Sequence, residues 1–219
     1  MRPVDGSPDG MLMTPDMRNW GRSDHLHIGL RAIHAFHQQN GRYPEMGDAD
    51  AVSSLSKAIN EEAKSKEQHF CDELDDMCVR KSAQFASCSL VPQCAFFGGI
   101  VAQELVKYTG KYSPLKQWLH YEIFEILPEG EVNREPMNCR YDDQIKVLGR
   151  EVQEKLGNVN TFMVGAGALG CEYIKAFSLM GLGCGPKGRV HCTDNDNIEI
   201  SNLNRQFLFR KNNVGSSKS

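Results

Sequence analysis

Several things are missing from this 219-residue sequence, and each absence excludes something. No Cys-x-x-Cys pair occurs among its eight cysteines, so a structural zinc site has little support. Eight thiols are also too few at this length for a disulfide scaffold, and reduced thiols in a cytoplasmic or nuclear protein are the expectation. Neither charge sign dominates: 25 Lys and Arg face 28 Asp and Glu, which argues against a basic nucleic-acid module. The start Met1-Arg2-Pro3-Val4-Asp5-Gly6 turns polar at once, without the apolar core of a secretory signal. The most apolar run, Cys94 to Val106, is interrupted by Gln103 and Glu104 and is too short to span a bilayer. What remains is ordinary globular composition, 40% hydrophobic and 24% charged.

Residues 1–22 carry Gly, Pro, Asp and Met without a period and read as an irregular segment. A helical region is expected over 23–90. Its first helix is capped by Ser23 or Asp24, carries Leu26, Leu30, Ile33 and Phe36, and stops at Gly41. A second follows Asp50 with Val52, Leu55 and Ile59 on one face. A third starts near Phe70, with Leu74, Met77 and Cys78 inward and the acids 72–76 solvated. Three such helices need further cover. His34 and His37, three apart, have the spacing of paired metal ligands, but nothing completes the set, and helix surface is the plainer reading.

Over 91–135 a helix opens at Pro92 and is apolar nearly all round, which predicts deep burial, with Gly98-Gly99 explained by close packing. Gln117 to Phe124 reads as a strand, and a linker follows with a seam near residue 135. Over 136–219 the pattern changes. Ile145, Leu148, Val152 and Leu156 mark one amphipathic helix. Then come a strand at 161–164, Gly165-Ala166-Gly167-Ala168-Leu169-Gly170, a helix to Met180, and a second strand, Arg189 to Thr193, ending at Asp194. That order is a βαβ unit with a parallel sheet.

The glycine loop stands where a nucleotide phosphate is received, after a strand and opening a helix whose first amides are unpaired. Asp194 is placed to accept from ribose hydroxyls. The alternative is a tightened turn that binds nothing. Ser201 is a candidate cap for a short helix that would align Asn202, Arg205 and Gln206, a set suited to phosphates and ribose, with Lys218 as a further charge. A capped polar helix with Arg205 merely solvated fits the pattern equally well.

Four strings, Arg140-Tyr141-Asp142-Asp143-Gln144, the glycine loop, Thr193-Asp194-Asn195-Asp196 and Ser201 to Arg210, resemble the active adenylation domain of eukaryotic ubiquitin-activating enzymes. The SUMO- and NEDD8-activating enzymes are similar there. Pro92 to Tyr121 resembles the end of the inactive adenylation domain of the single-chain ubiquitin enzyme, and 23–90 its four-helix insertion. The implied fold is a partial α/β, Rossmann-like ThiF-type adenylation domain preceded by a helical bundle. The implied activity is ATP- and magnesium-dependent adenylation of the C-terminal glycine of ubiquitin or a related modifier, then thioester capture on a cysteine and hand-over to a conjugating enzyme.

Carried over by motif, Gly165, Ala166, Gly167 and Gly170 would line the nucleotide and Asp194 would hold the ribose. Asn202, Arg205, Gln206 and Lys218 would face ribose and phosphates, with Arg205 and Lys218 positioning the phosphates. No nucleic acid or membrane partner is implied. The resemblance puts the magnesium-binding Asp, the thioester Cys and the second-half arginine outside these residues; Asp143 stands at the motif position of an Arg. The chain thus resembles an internal fragment, incapable alone of the full reaction. Two other functions remain open. One is an NAD-dependent oxidoreductase, although Asp194 lies 29 residues after Gly165 against a usual spacing of about 20. The other is a non-catalytic pseudo-adenylation or interaction module.

Overall fold

The computed structural model describes residues 17–219, so the irregular segment expected over 1–22, with Met1, Met11 and Met13, falls largely outside the described residues. The chain forms two compact units, one of residues up to 88 with 97–127, the other of 89–96 with 128–219.

The first unit is built on α1 (Arg22–Asn40), α2 (Ala49–Ser65) and α3 (Asp76–Gln84). Its core joins Ala32, Ile33 and Phe36 of α1 to Val52 of α2 and to Val79 and Ala83 of α3. The helix faces follow from the spacing of the apolar residues, but the starts differ from expectation. Gly21, in the left-handed region, precedes α1, and Ser23 is buried within the first turn instead of capping it. The third helix begins at Asp76, six residues later than expected, because Asp75 caps it by accepting from the Cys78 amide at 3.0 Å. The acid run is accordingly not a plain solvated face. Asp76 accepts from Ser53 Oγ and from Arg80 Nε, and those bonds hold its carboxyl down to about 2. Met77, expected inward, is exposed.

Asn60 of α2 ties down the turn before α3. Its Nδ2 donates to Cys71 O at 2.8 Å and its Oδ1 accepts from Cys71 N at 2.9 Å, both buried. Asn60→Ala leaves two backbone groups unmatched and is expected to lower stability by about 2–3 kcal/mol, read from urea unfolding.

The helix α4 (Val91–Lys107) contradicts the expected deep burial: it has no buried residue, and Val101, Leu105 and Val106 are more than half exposed. A Cβ at Gly98 or Gly99 would meet nothing within 4 Å, so close packing does not explain that pair. An all-round apolar pattern registers what a helix is suited to touch, and among the described residues no surface encloses this one. The expected strand at 117–124 is instead extended chain ending in a 3-10 turn, Phe124–Ile126. The one sheet among the described residues has two strands, neither in this stretch. Trp118 and His120 turn toward His27 of α1, with ring centroids 6.3 and 5.3 Å away.

In the second unit the amphipathic pattern expected as one helix is two, α5 (Asp142–Leu148) and α6 (Arg150–Gly157). Gly149 divides them with φ +89°, and a Cβ there would lie 3.0 Å from Val132 Cβ. The linker threads past this break, where Asn133 O accepts from the Arg150 amide at 2.9 Å. Gln144 and Gln153, both buried, each donate to Met180 O at 3.1 Å and so fasten α5 and α6 to the end of α7 (Ala168–Met180). Strands β1 (Asn160–Val164) and β2 (Arg189–Thr193) pair in parallel, Asn160 opposite Arg189 and Val164 opposite Thr193, with α7 as the crossover. The βαβ expectation holds.

Candidate nucleotide site

The loop between β1 and α7 is shaped by its glycines. Gly165 has φ +106°, which bends the chain off β1 while its amide still donates to Thr193 O at 2.7 Å. A Cβ on Gly170 would stand 2.3 Å from Gly165 O, so only glycine lets α7 come this close. At Gly167 a Cβ would meet nothing, and that side of the loop is open. No side chain caps α7, and Leu169 in its first turn is exposed. Its first amides therefore face outward at the positive end of the helix, as an anion requires.

Asp194 closes the other side. Its Oδ2 accepts from the Ala166 amide at 2.7 Å, and its Oδ1 from the Asp196 amide at 2.8 Å. The two amides, that of Asp196 first, and the nearby Lys218 hold this carboxyl below the usual range. Asp194 thus fixes the loop as well as standing where a ribose would be met. The Ala166 contact spans 28 residues, and no local pattern announces it.

Past Asp194 the short helix is a single 3-10 turn, Ile200–Asn202, preceded by Glu199 and not capped by Ser201. Asn202 Oδ1 accepts from the Glu199 amide at 3.0 Å, because Asn202 is long enough to reach back over a tight turn. The expected common face does not form. Asn202 and Gln206 are buried, whereas Arg205 is exposed and donates to Ser201 O at 2.9 Å and to Asn204 Oδ1 at 3.1 Å. A common face needs a continuous α-helix, and a three-residue 3-10 turn does not supply one. Gln206 Oε1 is buried without a hydrogen-bond partner.

Lys218 lies on a returning segment. Ile198 N donates to Ser216 O at 2.8 Å, Gly215 N to Ile198 O at 2.8 Å, and Lys218 N to Asp196 O at 3.1 Å. Its ammonium lies 2.8 Å from Asp196 Oδ2. This pairing escaped the sequence reading, although an Asp-x-Asp turn beside a lysine-bearing tail is a usable signal. Asp143 accepts from the Ser89 amide at 2.9 Å.

Among the described residues no group of His, Cys, Asp and Glu could hold a metal ion. His25 accepts from the Asp75 amide at 3.3 Å, the His37 ring lies 4.5 Å from that of Tyr43, and His34 is exposed. No helix among the described residues is long and apolar enough to cross a membrane.

A parallel βαβ unit with an open glycine loop and an aspartate at the end of the second strand is a Rossmann-like arrangement. Residues 141–219 match the ThiF family, and residues 6–61 match the ubiquitin-activating enzyme E1 four-helix bundle. The human ubiquitin-like modifier-activating enzyme 1 is 44% identical over 217 residues, 95% of this chain and 20% of its own. Ubiquitin-activating enzyme E1 1 of Candida albicans is 40% identical over 213 residues, 93% of this chain and 21% of its own. Its Arabidopsis thaliana namesake is 40% identical over 217 residues, 96% of this chain and 20% of its own. A solved structure of E. coli MccB with ATP is 32% identical over 42% of this chain and 27% of its own, at a TM-score of 0.34, too low to bear on the arrangement. The chain is similar over nearly its whole length to a segment of ubiquitin-activating enzymes, with an α/β ThiF-type part and a part that matches their four-helix bundle. It spans about a fifth of the length of the curated relatives it matches.

Proposed function

We propose that this chain carries the nucleotide-binding part of an ATP-dependent ubiquitin-activating enzyme, a ligase that adenylates the C-terminal glycine of ubiquitin or a related modifier. The supporting observation is the clamp of Asp194 on the Ala166 amide, which holds the glycine loop open at an uncapped helix end. When bound, ATP supplies the α-phosphate that a carboxylate attacks. The backbone of Gly165, Ala166, Gly167 and Gly170 would lie against the nucleotide, and Asp194 and Asn202 would face the ribose. Arg205, Gln206 and Lys218 would offset and orient the charge where two anions meet, so catalysis here is positioning and neutralisation. Magnesium would be held by residues other than these.

Thioester transfer is assigned to a cysteine outside this span. Burial pushes the Cys71 and Cys78 thiols up to about 11 and about 12, so these two are poor thiolate nucleophiles. A ubiquitin-conjugating enzyme is the proposed downstream partner. The proposed compartments are cytoplasm and nucleus, where eight free thiols stay reduced.

The test is titration of the chain with ATP and with NADH. ATP binding is expected, and Asp194→Ala should weaken it by about tenfold or more, since it unclamps the loop and removes the ribose acceptor. NADH preference overturns the proposal, and unchanged ATP affinity in the variant overturns the role of Asp194. Ubiquitin-dependent ATP–pyrophosphate exchange is expected of a full-length relative carrying this segment and not of the 219 residues alone.

A further inference from the structure

We infer that Asp196 is a positioning residue, which fixes Lys218 so that its ammonium stands ready beside the glycine loop for the phosphates of a nucleoside triphosphate. The inference rests on the nucleotide reading above and adds a residue to it. Asp196 grips Lys218 at both ends: its carbonyl accepts from the Lys218 amide at 3.1 Å, and its Oδ2 lies 2.8 Å from Lys218 Nζ. The antiparallel pairing of Asn197 with Ser217 and the bond from Ile198 N to Ser216 O keep the intervening chain in register.

The result is unusual for a lysine near a chain surface. The Lys218 side chain is only 7% exposed, while that of its partner is 71% exposed. Fixing a free lysine costs rotamer entropy. Here that cost is met before any ligand arrives. Stability alone is a poor account of the pair, because an ion pair with an exposed member contributes little to it.

Asp196 is also tied to the loop. Its amide donates to Asp194 Oδ1, and the other Asp194 oxygen holds Ala166. One short turn therefore sets the loop, the ribose acceptor and the ammonium together. The ammonium keeps donors beyond the one that meets Asp196, since a lysine has three. Asp194 and Glu199 also act on it and, with Asp196, keep it protonated.

The sign of the effect separates positioning from simple charge. Asp196 is an anion near a polyphosphate site, so if charge were its whole contribution, removing it would tighten ATP binding. Positioning demands the reverse. The experiment measures ATP and adenosine affinities by calorimetry for the whole chain and for Asp196→Asn, together with the acetylation rate of Lys218 mapped by peptide mass spectrometry.

Asp196→Asn is expected to lose about tenfold in ATP affinity, keep its adenosine affinity, and show faster labelling of Lys218. Asp196→Glu, which retains the charge, should recover part of the ATP affinity and serves as the second variant if the first melts early. ATP affinity equal to or above wild type in Asp196→Asn, or an unchanged labelling rate, overturns the inference while leaving the nucleotide reading intact. A wild-type chain that binds no ATP overturns the nucleotide reading itself, and the phosphate role of Asp196 with it.

Discussion

Gly170→Ala is expected to destabilise the second unit by about 3 kcal/mol or more and to abolish nucleotide binding. The added methyl would stand 2.3 Å from the Gly165 carbonyl oxygen and 3.1 Å from its carbon, and both are backbone atoms. No rotamer can relieve that contact, so either α7 retreats from β1 or the loop moves. Met163 Cε, 3.5 Å away on β1, is a third neighbour on the same side. A moved loop takes the Ala166 amide from Asp194, and the two halves of the site separate. Chemical denaturation with circular dichroism gives the stability, and an ATP titration the binding. Gly167→Ala is the control: with nothing within 4 Å of its methyl, it should leave stability within about 1 kcal/mol of wild type. Equal stability losses in the two variants would show that the close approach at Gly170 does not matter.

The second large effect is in pH. Lowering pH from 7 to 4 is expected to cost the first unit on the order of 3 kcal/mol through two histidines. His27 Nδ1 and His120 Nε2 lie 3.1 Å apart and both side chains are buried. Burial, and for His27 also the facing His120, His69 and Arg31, lowers both to about 4. Asp24 partly offsets this at His120 and lies 3.1 Å from His69 Nε2 without a hydrogen bond between them.

An unfolded histidine takes its proton near 6.5, a folded one here only near 4. Between those values the unfolded chain binds more protons, so stability falls as pH falls, and it is level above about 6.5. The two rings share one contact and the first proton discourages the second, so their shifts do not simply add. Loss from the paired carboxylates comes later, since Asp48 and Asp76 are held to about 2. Urea midpoints at pH 7, 5.5 and 4 read the slope. His120→Gln should flatten it by about half, and an unchanged slope would mean that the cluster does not govern acid lability.

That cluster also marks where sequence stops informing. His27 and His120 are 93 residues apart, and no period or local motif joins them. The βαβ unit was legible because its signals are local: a short apolar strand, a glycine loop and a helix of regular spacing. The break at Gly149 was not, because Ile145, Leu148, Val152 and Leu156 keep one period across it, and what demands the break is Val132. At the site, residue types were readable and their facing was not. Asn202, Arg205 and Gln206 align on an α-helix, but a 3-10 turn sends two inward and one out. The apolar helix α4 misled for another reason: pattern reports affinity for cover, not its presence.

The clamp at the glycine loop has a kinetic meaning too. Asp194 and Ala166 are 28 residues apart, Lys218 and Asp196 are 22 apart, and the glutamines that fasten α7 reach at most 36. Loops of that size close quickly, and chains whose contacts are this near in sequence fold fast. Synthesis at about 5–20 residues per second is slow by comparison. The glycine loop and its clamp can therefore take shape on the ribosome within seconds of Lys218 leaving the exit tunnel.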